Sequence, residues 1–346
     1  MQPHSGERRQ TANIFFRMKS LIFLLVLLVT VFALANAAVA QDDPIKVDTS
    51  VVRLNVGVVD KRGHPIIDLN QSNFDVFEDG VKQQITHFEP TVTPFSVVLM
   101  LDMSGSTLGF RQVLKQSATR FLDTLGPDDR VAVIEFNEKP SLRNDFTNNR
   151  ATIANSIAVS NGRGHTELYK ALDFALDKLA KEKSRRKAII VLTDGVDTSA
   201  RDLDRQVLDK ADPKQADTAI QPDSNGALNG VLNRADAQGV TIYPLALPTG
   251  DPEKLADPTP AQVAMFRAAR ERLEYMANRS GGRINSINRL EEMGRLYAEV
   301  AAEIRTLYTI EYASGNEKRD GKWRDIRIDV RDPNLISRTR QGYFAK

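Results

Sequence analysis

Residues 95–106 read Phe95-Ser-Val-Val-Leu-Met-Leu-Asp102-Met-Ser104-Gly-Ser106. Residues 95–101 are apolar apart from Ser96. A run of that kind is a strand buried on both faces, as in a parallel sheet with helices on each side. It stops abruptly at three oxygen-bearing side chains, Asp102, Ser104 and Ser106, spaced i, i+2 and i+4. These fall in a loop beyond the carboxyl end of a central strand, where open α/β sheets take their ligands. Taken alone, such residues serve as caps and turns, as a nucleophilic carboxylate, or as hard oxygen donors to a cation.

Around this stretch, residues 95–306 alternate strands with helices. Helical spacing marks 111–125, stopped by Gly126-Pro127, then 150–160 and 167–183, where Leu168, Leu172, Ala175 and Leu179 share a stripe. Strands are expected at 130–136, 187–193 and 240–247. Residues 140–147 suit an edge strand, which tolerates Pro140. Amphipathic helices are expected at 265–278 and 290–305, with a short strand at 282–286 between them. Strands joined by helices of this length pair in parallel through right-handed crossovers. The fold class is therefore α/β with a doubly wound, mostly parallel sheet. Residues 200–225, rich in Asp, Lys and Gln, and 248–260, with four prolines, read as surface loops or lids.

Both ends of the chain are β. Val52, Leu54, Val56 and Val58 alternate with Arg53, Asn55 and Gly57, the pattern of a half-buried strand. Residues 74–77 and 81–88 flank Asp79-Gly80, a hairpin signal. Some forty residues of strand bury too little by themselves. The C-terminal strands at 307–312, 323–329 and 339–344 supply what they lack. The expected architecture is a flanking β-sandwich built from both ends, with the α/β domain inserted. The expected domains are a signal segment at 1–40, an N-terminal β region at 41–93, the α/β domain at 94–306 and a C-terminal β region at 307–346.

Composition narrows the chemistry. There is no cysteine, which excludes disulfides, thiol catalysis, zinc–cysteine sites and iron–sulfur clusters. The formal net charge is +2, but residues 1–40 carry Arg8, Arg9, Arg17 and Lys19 against Glu7 alone. The remainder is balanced and offers no basic surface for nucleic acid. Residues 21–40 are almost wholly apolar, preceded by Lys19 and ending in Ala35-Asn-Ala37 and Ala38-Val-Ala40. That is a signal sequence with peptidase-type small residues. The polar Gln41-Asp-Asp-Pro that follows favours cleavage over an uncleaved anchor. The mature chain is expected to be exported, periplasmic or secreted, touching a membrane only through 21–40 if that segment stays attached.

Two further segments repeat the logic of the first. Residues 191–194 end a buried strand in Asp194, and Arg163-Gly-His-Thr166 ends a glycine-bearing loop in a hydroxyl. Asp102-Met-Ser104-Gly-Ser106, with the later Thr166 and Thr193-Asp194-Gly195, resembles the five-position signature of the von Willebrand factor A domain, in order and each in the expected element. The resemblance covers about residues 94–306, and the exported, β-flanked arrangement looks like that of bacterial proteins related to this domain. It implies that Asp102, Ser104, Ser106, Thr166 and Asp194 form a metal-ion-dependent adhesion site for Mg²⁺ or Mn²⁺. Ser104, Ser106 and Thr166 would ligate directly, and the two aspartates largely through water. The partner is then a protein supplying an acidic side chain to the metal. Movement of the last helix, 290–305, is the readout common in that family.

The alternatives are definite. A phosphoester hydrolase with Asp102 as nucleophile is a weak reading, because the acid required two residues on is Ser104. A metal-independent scaffold of an envelope assembly is the other rival. Residues 163–166 lack the lysine of a phosphate loop, and none of His4, His64, His87 and His165 forms a His-x-x-x-His pair. His165 reads as a rim residue, Asp197 as a helix cap, Trp323 as core or edge packing, and Arg185-Arg-Lys187 as a solvated helix end. The expected function is a non-catalytic, divalent-metal-dependent protein-binding module.

Overall fold

The computed structural model describes residues 51–345 except 92, 183–184, 213–214, 249–256 and 288. The signal segment and most of the proline-rich loop at 248–260 lie outside the described residues. The apolar run forms β5 (Phe95–Asp102), the centre of a six-stranded sheet. On one side lie β6 (Arg130–Phe136) and β7 (Pro140–Thr147); on the other lie β8 (Arg186–Thr193), β9 (Val240–Ala246) and β10 (Asn285–Ser286). All neighbours are parallel except β7, the antiparallel edge that carries Pro140.

Every residue of β5 is buried, and its alternate side chains enter two cores. Val97, Leu99 and Leu101 meet α1 (Arg111–Phe121), α2 (Arg150–Val159) and the last helix of the domain. Val98 and Met100 meet α3 (Leu168–Leu179) and three later helices. Ser96, the polar residue within the apolar run, donates to Glu182 Oε2 at 2.6 Å, which satisfies its buried hydroxyl.

Residues 200–225 are not simply a loop. Asp197 caps α4 (Thr198–Leu208), accepting from the Ala200 N–H at 2.9 Å, as a helix cap must. The face that α4 turns inward carries Ala200 and Asp204. Asp204 makes a two-pronged ion pair with Arg272, at 2.5 and 2.6 Å. Arg272 lies on α6 (Pro260–Ser280), which follows α5 (Gly226–Gln238). The chain then passes through β10 to α7 (Met293–Arg305).

The two ends interleave as expected. One four-stranded sheet runs β13 (Leu335–Arg338), β1 (Val51–Asp60), β11 (Leu307–Ala313), β4 (Ile85–Glu89). The other runs β14 (Gly342–Phe344), β12 (Trp323–Val330), β2 (Phe74–Glu78), β3 (Val81–Gln83). Val52, Leu54, Val56 and Val58 share one core with Phe74, Val76, Tyr308, Ile310, Tyr312, Ile326 and Ile328. That is the inner surface of a sandwich. Asp79 and Gly80 both adopt positive φ, 49° and 79°, the turn a two-residue hairpin between β2 and β3 requires. Residues 81–88 break into β3 and β4, which join different sheets, and β13 was not expected. Trp323 is half-buried on β12, edge-on to Phe344, with the Arg279 guanidinium 4.5 Å from its ring centre.

Thr306 alone separates α7 from β11. Here one expectation is corrected: Arg186 does not solvate a helix end but is buried, at 1% exposure. It donates to four carbonyls, Thr91 and Thr93 at 2.5 and 2.6 Å, Ile304 and Leu307 at 3.0 and 2.6 Å. Those carbonyls flank the two crossings between sandwich and α/β sheet. Arg305 adds an ion pair to buried Asp129 at 2.6 Å. No helix among the described residues is long and apolar enough to cross a membrane.

Candidate functional site

The sheet register sets the site. β5 and β8 are adjacent and parallel, with Leu101 opposite Leu192, so Asp102 and Thr193-Asp194 leave the sheet side by side. The loop after β5 is held by its own carboxylate. Asp102 Oδ1 accepts from the Ser104 N–H at 3.0 Å, and Oδ2 accepts from the Thr193 hydroxyl at 2.8 Å. The Ser104 and Ser106 hydroxyls are 3.1 Å apart. Asp194 Oδ1 accepts from the Val196 N–H at 3.0 Å.

The Thr166 loop is stitched to both neighbours. The Gly105 N–H donates to Gly164 O at 3.1 Å, and the Thr166 N–H donates to the Thr198 hydroxyl at 3.1 Å. Ser104, Ser106, Thr166 and Asp194 then line one cleft of about 380 Å³, with Gly164, His165, Val196, Thr198, Arg201 and Phe266 among its walls. Asp102 lies beneath them, fully buried. His165 is an exposed rim residue of this cleft, as expected.

Sequence reasoning missed the residues that hold and surround the loops. The Arg111 guanidinium donates to the carbonyls of Met103 and Ser104 at 2.7 and 3.0 Å, and to Asn161 Oδ1 at 2.7 Å. It thereby spans two of the loops. Arg201 and Phe266 come from α4 and α6, elements whose approach to the site no local pattern announces.

The electrostatics are those of two buried acids with no direct ion pair, the Arg111 guanidinium being the cation that acts on Asp102. Asp102 and Asp194 are 0% and 3% exposed, and among the described residues neither has an ion-pair partner. Burial, and then the neighbouring Asp194, push the Asp102 carboxyl up to about 7, against hydrogen bonds from Ser104 and Thr193. Burial also raises Asp194, while the Ser106 hydroxyl and the Val196 N–H act to lower it. Two buried carboxylates and three hydroxyls are a hard, oxygen-only donor set of low charge, which fits a small divalent cation. Among the described residues no three His, Asp or Glu side chains gather as a metal cluster, so hydroxyl oxygens must carry part of any such site.

The Asp194 loop turns on Gly195, whose φ is +84°. A Cβ there would stand 2.8 Å from Leu273 Cδ1 and 3.2 Å from Ala269 O. Gly195→Ala is expected to cost about 2 kcal/mol, from the left-handed backbone and the collision together. Urea unfolding measures this; a loss under about 0.5 kcal/mol, the size of an ordinary surface change, would show that Leu273 gives way freely.

Several known proteins are similar to parts of this chain. The voltage-dependent calcium channel subunit alpha-2/delta-2 of Homo sapiens is 27% identical over 135 residues, 36% of this chain. An uncharacterized protein of Synechocystis sp. is 34% identical over 106 residues, 30% of this chain. The matches span only 12% and 25% of those relatives' lengths. Among solved structures, a von Willebrand factor type A protein from Catenulispora acidiphila is 13% identical, covers 86% of this chain and 64% of its own, and has a TM-score of 0.46. The family description that matches residues 97–196, from β5 through the Asp194 loop, is the von Willebrand factor type A domain. The sheet from β5 to β8 and its loops are thus the part of the chain that is similar to a von Willebrand factor type A domain.

Proposed function

We propose that the chain is an exported, non-catalytic module that binds another protein through a divalent cation. Asp102, Ser104, Ser106, Thr166 and Asp194 would hold Mg²⁺ or Mn²⁺. The cation, when bound, supplies an electrophilic centre for an acidic side chain of the partner. The observation that carries this reading is the oxygen-lined cleft above two buried carboxylates that, among the described residues, have no ion-pair partner. The chain's own residues do the rest: Arg111 fixes the Ser104 loop, and Thr198 fixes Thr166. Export rests on the signal-like residues 1–40.

A metal-independent scaffold is favoured by one feature. Both oxygens of Asp102 already accept hydrogen bonds within the fold, so the loop has internal support without a cation. Calorimetric titration of residues 41–346 with Mg²⁺ and Mn²⁺ separates the two readings. Saturable heat, together with capture of a partner from envelope extract that EDTA abolishes, is the expected result. No heat with either metal would leave the scaffold.

A further inference from the structure

The cleft over the five oxygen donors has one wall that the proposed metal site does not use. That wall is Arg201 of α4 and Phe266 of α6. Both residues, with Val196, also line a small adjoining recess where Met265 and Ala269 stand beside the Asp204–Arg272 pair. The two depressions therefore share the wall of Val196, Arg201 and Phe266, which places carbon surface and a guanidinium beside the oxygen donors.

Arg201 stands at their junction with little structural employment. Its Nε is enclosed without a hydrogen-bond partner. Its ion pair is with its chain neighbour Asp202, at 3.8 Å between side chains 39% and 56% exposed, a contact of negligible strength. The buried acids nearby are already engaged. Asp204 is held by Arg272 from two sides, and Asp197 accepts from the Ala200 and Tyr169 N–H groups. A guanidinium in that position is matched in shape and charge to a carboxylate, which it can meet with two parallel hydrogen bonds.

We propose that the cleft receives a partner segment in which an acidic residue is followed directly by a large apolar one. The acidic side chain lies over Ser104, Ser106 and Thr166 and pairs with Arg201, and the apolar side chain packs on Phe266 and Val196. This rests on the proposed metal-dependent reading and adds to it the partner's second position. The charge and the carbon surface sit side by side, so neither an acidic residue alone nor an apolar residue alone fills the whole depression.

The test uses a displayed library of random hexapeptides, selected on immobilised protein in Mg²⁺ and, separately, in EDTA. Enrichment of Asp or Glu followed by Leu, Ile, Met or Phe, in Mg²⁺ only, is expected. The best peptide, synthesised with a fluorophore, should bind Arg201→Gln about tenfold more weakly, the loss of one charge-assisted pair. Phe266→Ala should keep the demand for an acid and lose the preference for an apolar neighbour. Acidic peptides without that neighbour, or equal binding by both variants, overturn the inference. Calorimetry of the unsubstituted protein with Mg²⁺ alone is the parallel arm. Heat there with a failed selection sinks only this inference, whereas no heat sinks the metal reading and this inference with it.

Discussion

Arg186→Met is expected to lower the stability of the folded unit by about 4 kcal/mol, since it strands buried carbonyls that each cost roughly 1–3 kcal/mol when unpaired. Methionine matches the length and apolar bulk of the arginine stem but donates nothing. Thr91, Thr93, Ile304 and Leu307 would all lose a donor at once. The costs do not simply add, because a loosened crossing admits water. The melting temperature should fall by about 10 °C, given roughly 2–4 °C per kcal/mol for a domain of this size. Arg186→Lys retains the charge but replaces a planar fork with a point ammonium, and it should recover only part of the loss. A second readout is the shape of the transition. Arg186 ties the strand entering the α/β sheet to the strand leaving it, within the single unit Thr49–Lys346. Its loss should broaden or split the unfolding curve, as the sandwich and the sheet begin to melt separately. A single sharp transition shifted by less than about 1 kcal/mol, no more than one ordinary hydrogen bond, would show that these four bonds do not hold the crossings.

Much of this fold was readable because its burial follows simple periods. β5 is apolar at both odd and even positions, so it had to be covered on both faces, and two cores receive its side chains. β1 alternates strictly, so it had to pack on one face, and Val52, Leu54, Val56 and Val58 all do. The loops that carry the five oxygen-bearing residues were legible for the same reason, since each adjoins an element whose end could be seen. What escaped was whatever buries polarity instead of carbon. Helix α4 turns Asp204 inward to Arg272 and leaves Leu203 and Val207 outward, at 56% and 44% exposure, which reverses the usual stripe. Arg186 lies between two other cations in sequence, and its acceptors are 93 to 121 residues away. Only the completed topology brings those carbonyls together. Arg111 escaped likewise, because its partners are two backbone carbonyls of one loop and the Asn161 side chain of another, which only the folded chain brings together.

Asp102→Asn is expected to separate folding from cation binding at the proposed site. Asparagine keeps the size of the side chain. Its Oδ1 can still accept from the Ser104 N–H, and its amide can donate to the Thr193 hydroxyl, which has lone pairs to receive it. The change removes one of two buried acidic groups, neither of which has an ion-pair partner among the described residues. In EDTA the variant should therefore be at least as stable as the parent, since a buried carboxylate beside another is a cost that the fold alone does not offset. With magnesium the order should reverse. A cation bound only by the folded protein adds about 2.7 kcal/mol at a hundred times its dissociation constant. The parent should gain that increment, and the variant, with half the anionic charge beneath the cleft, should gain almost none. Paired thermal melts in EDTA and in excess Mg²⁺ give all four values. Equal magnesium shifts in both proteins would remove Asp102 from the site. A parent that ignores magnesium, and is stabilised by the substitution in either buffer, would mean that the paired carboxylates are retained for a role other than holding a cation.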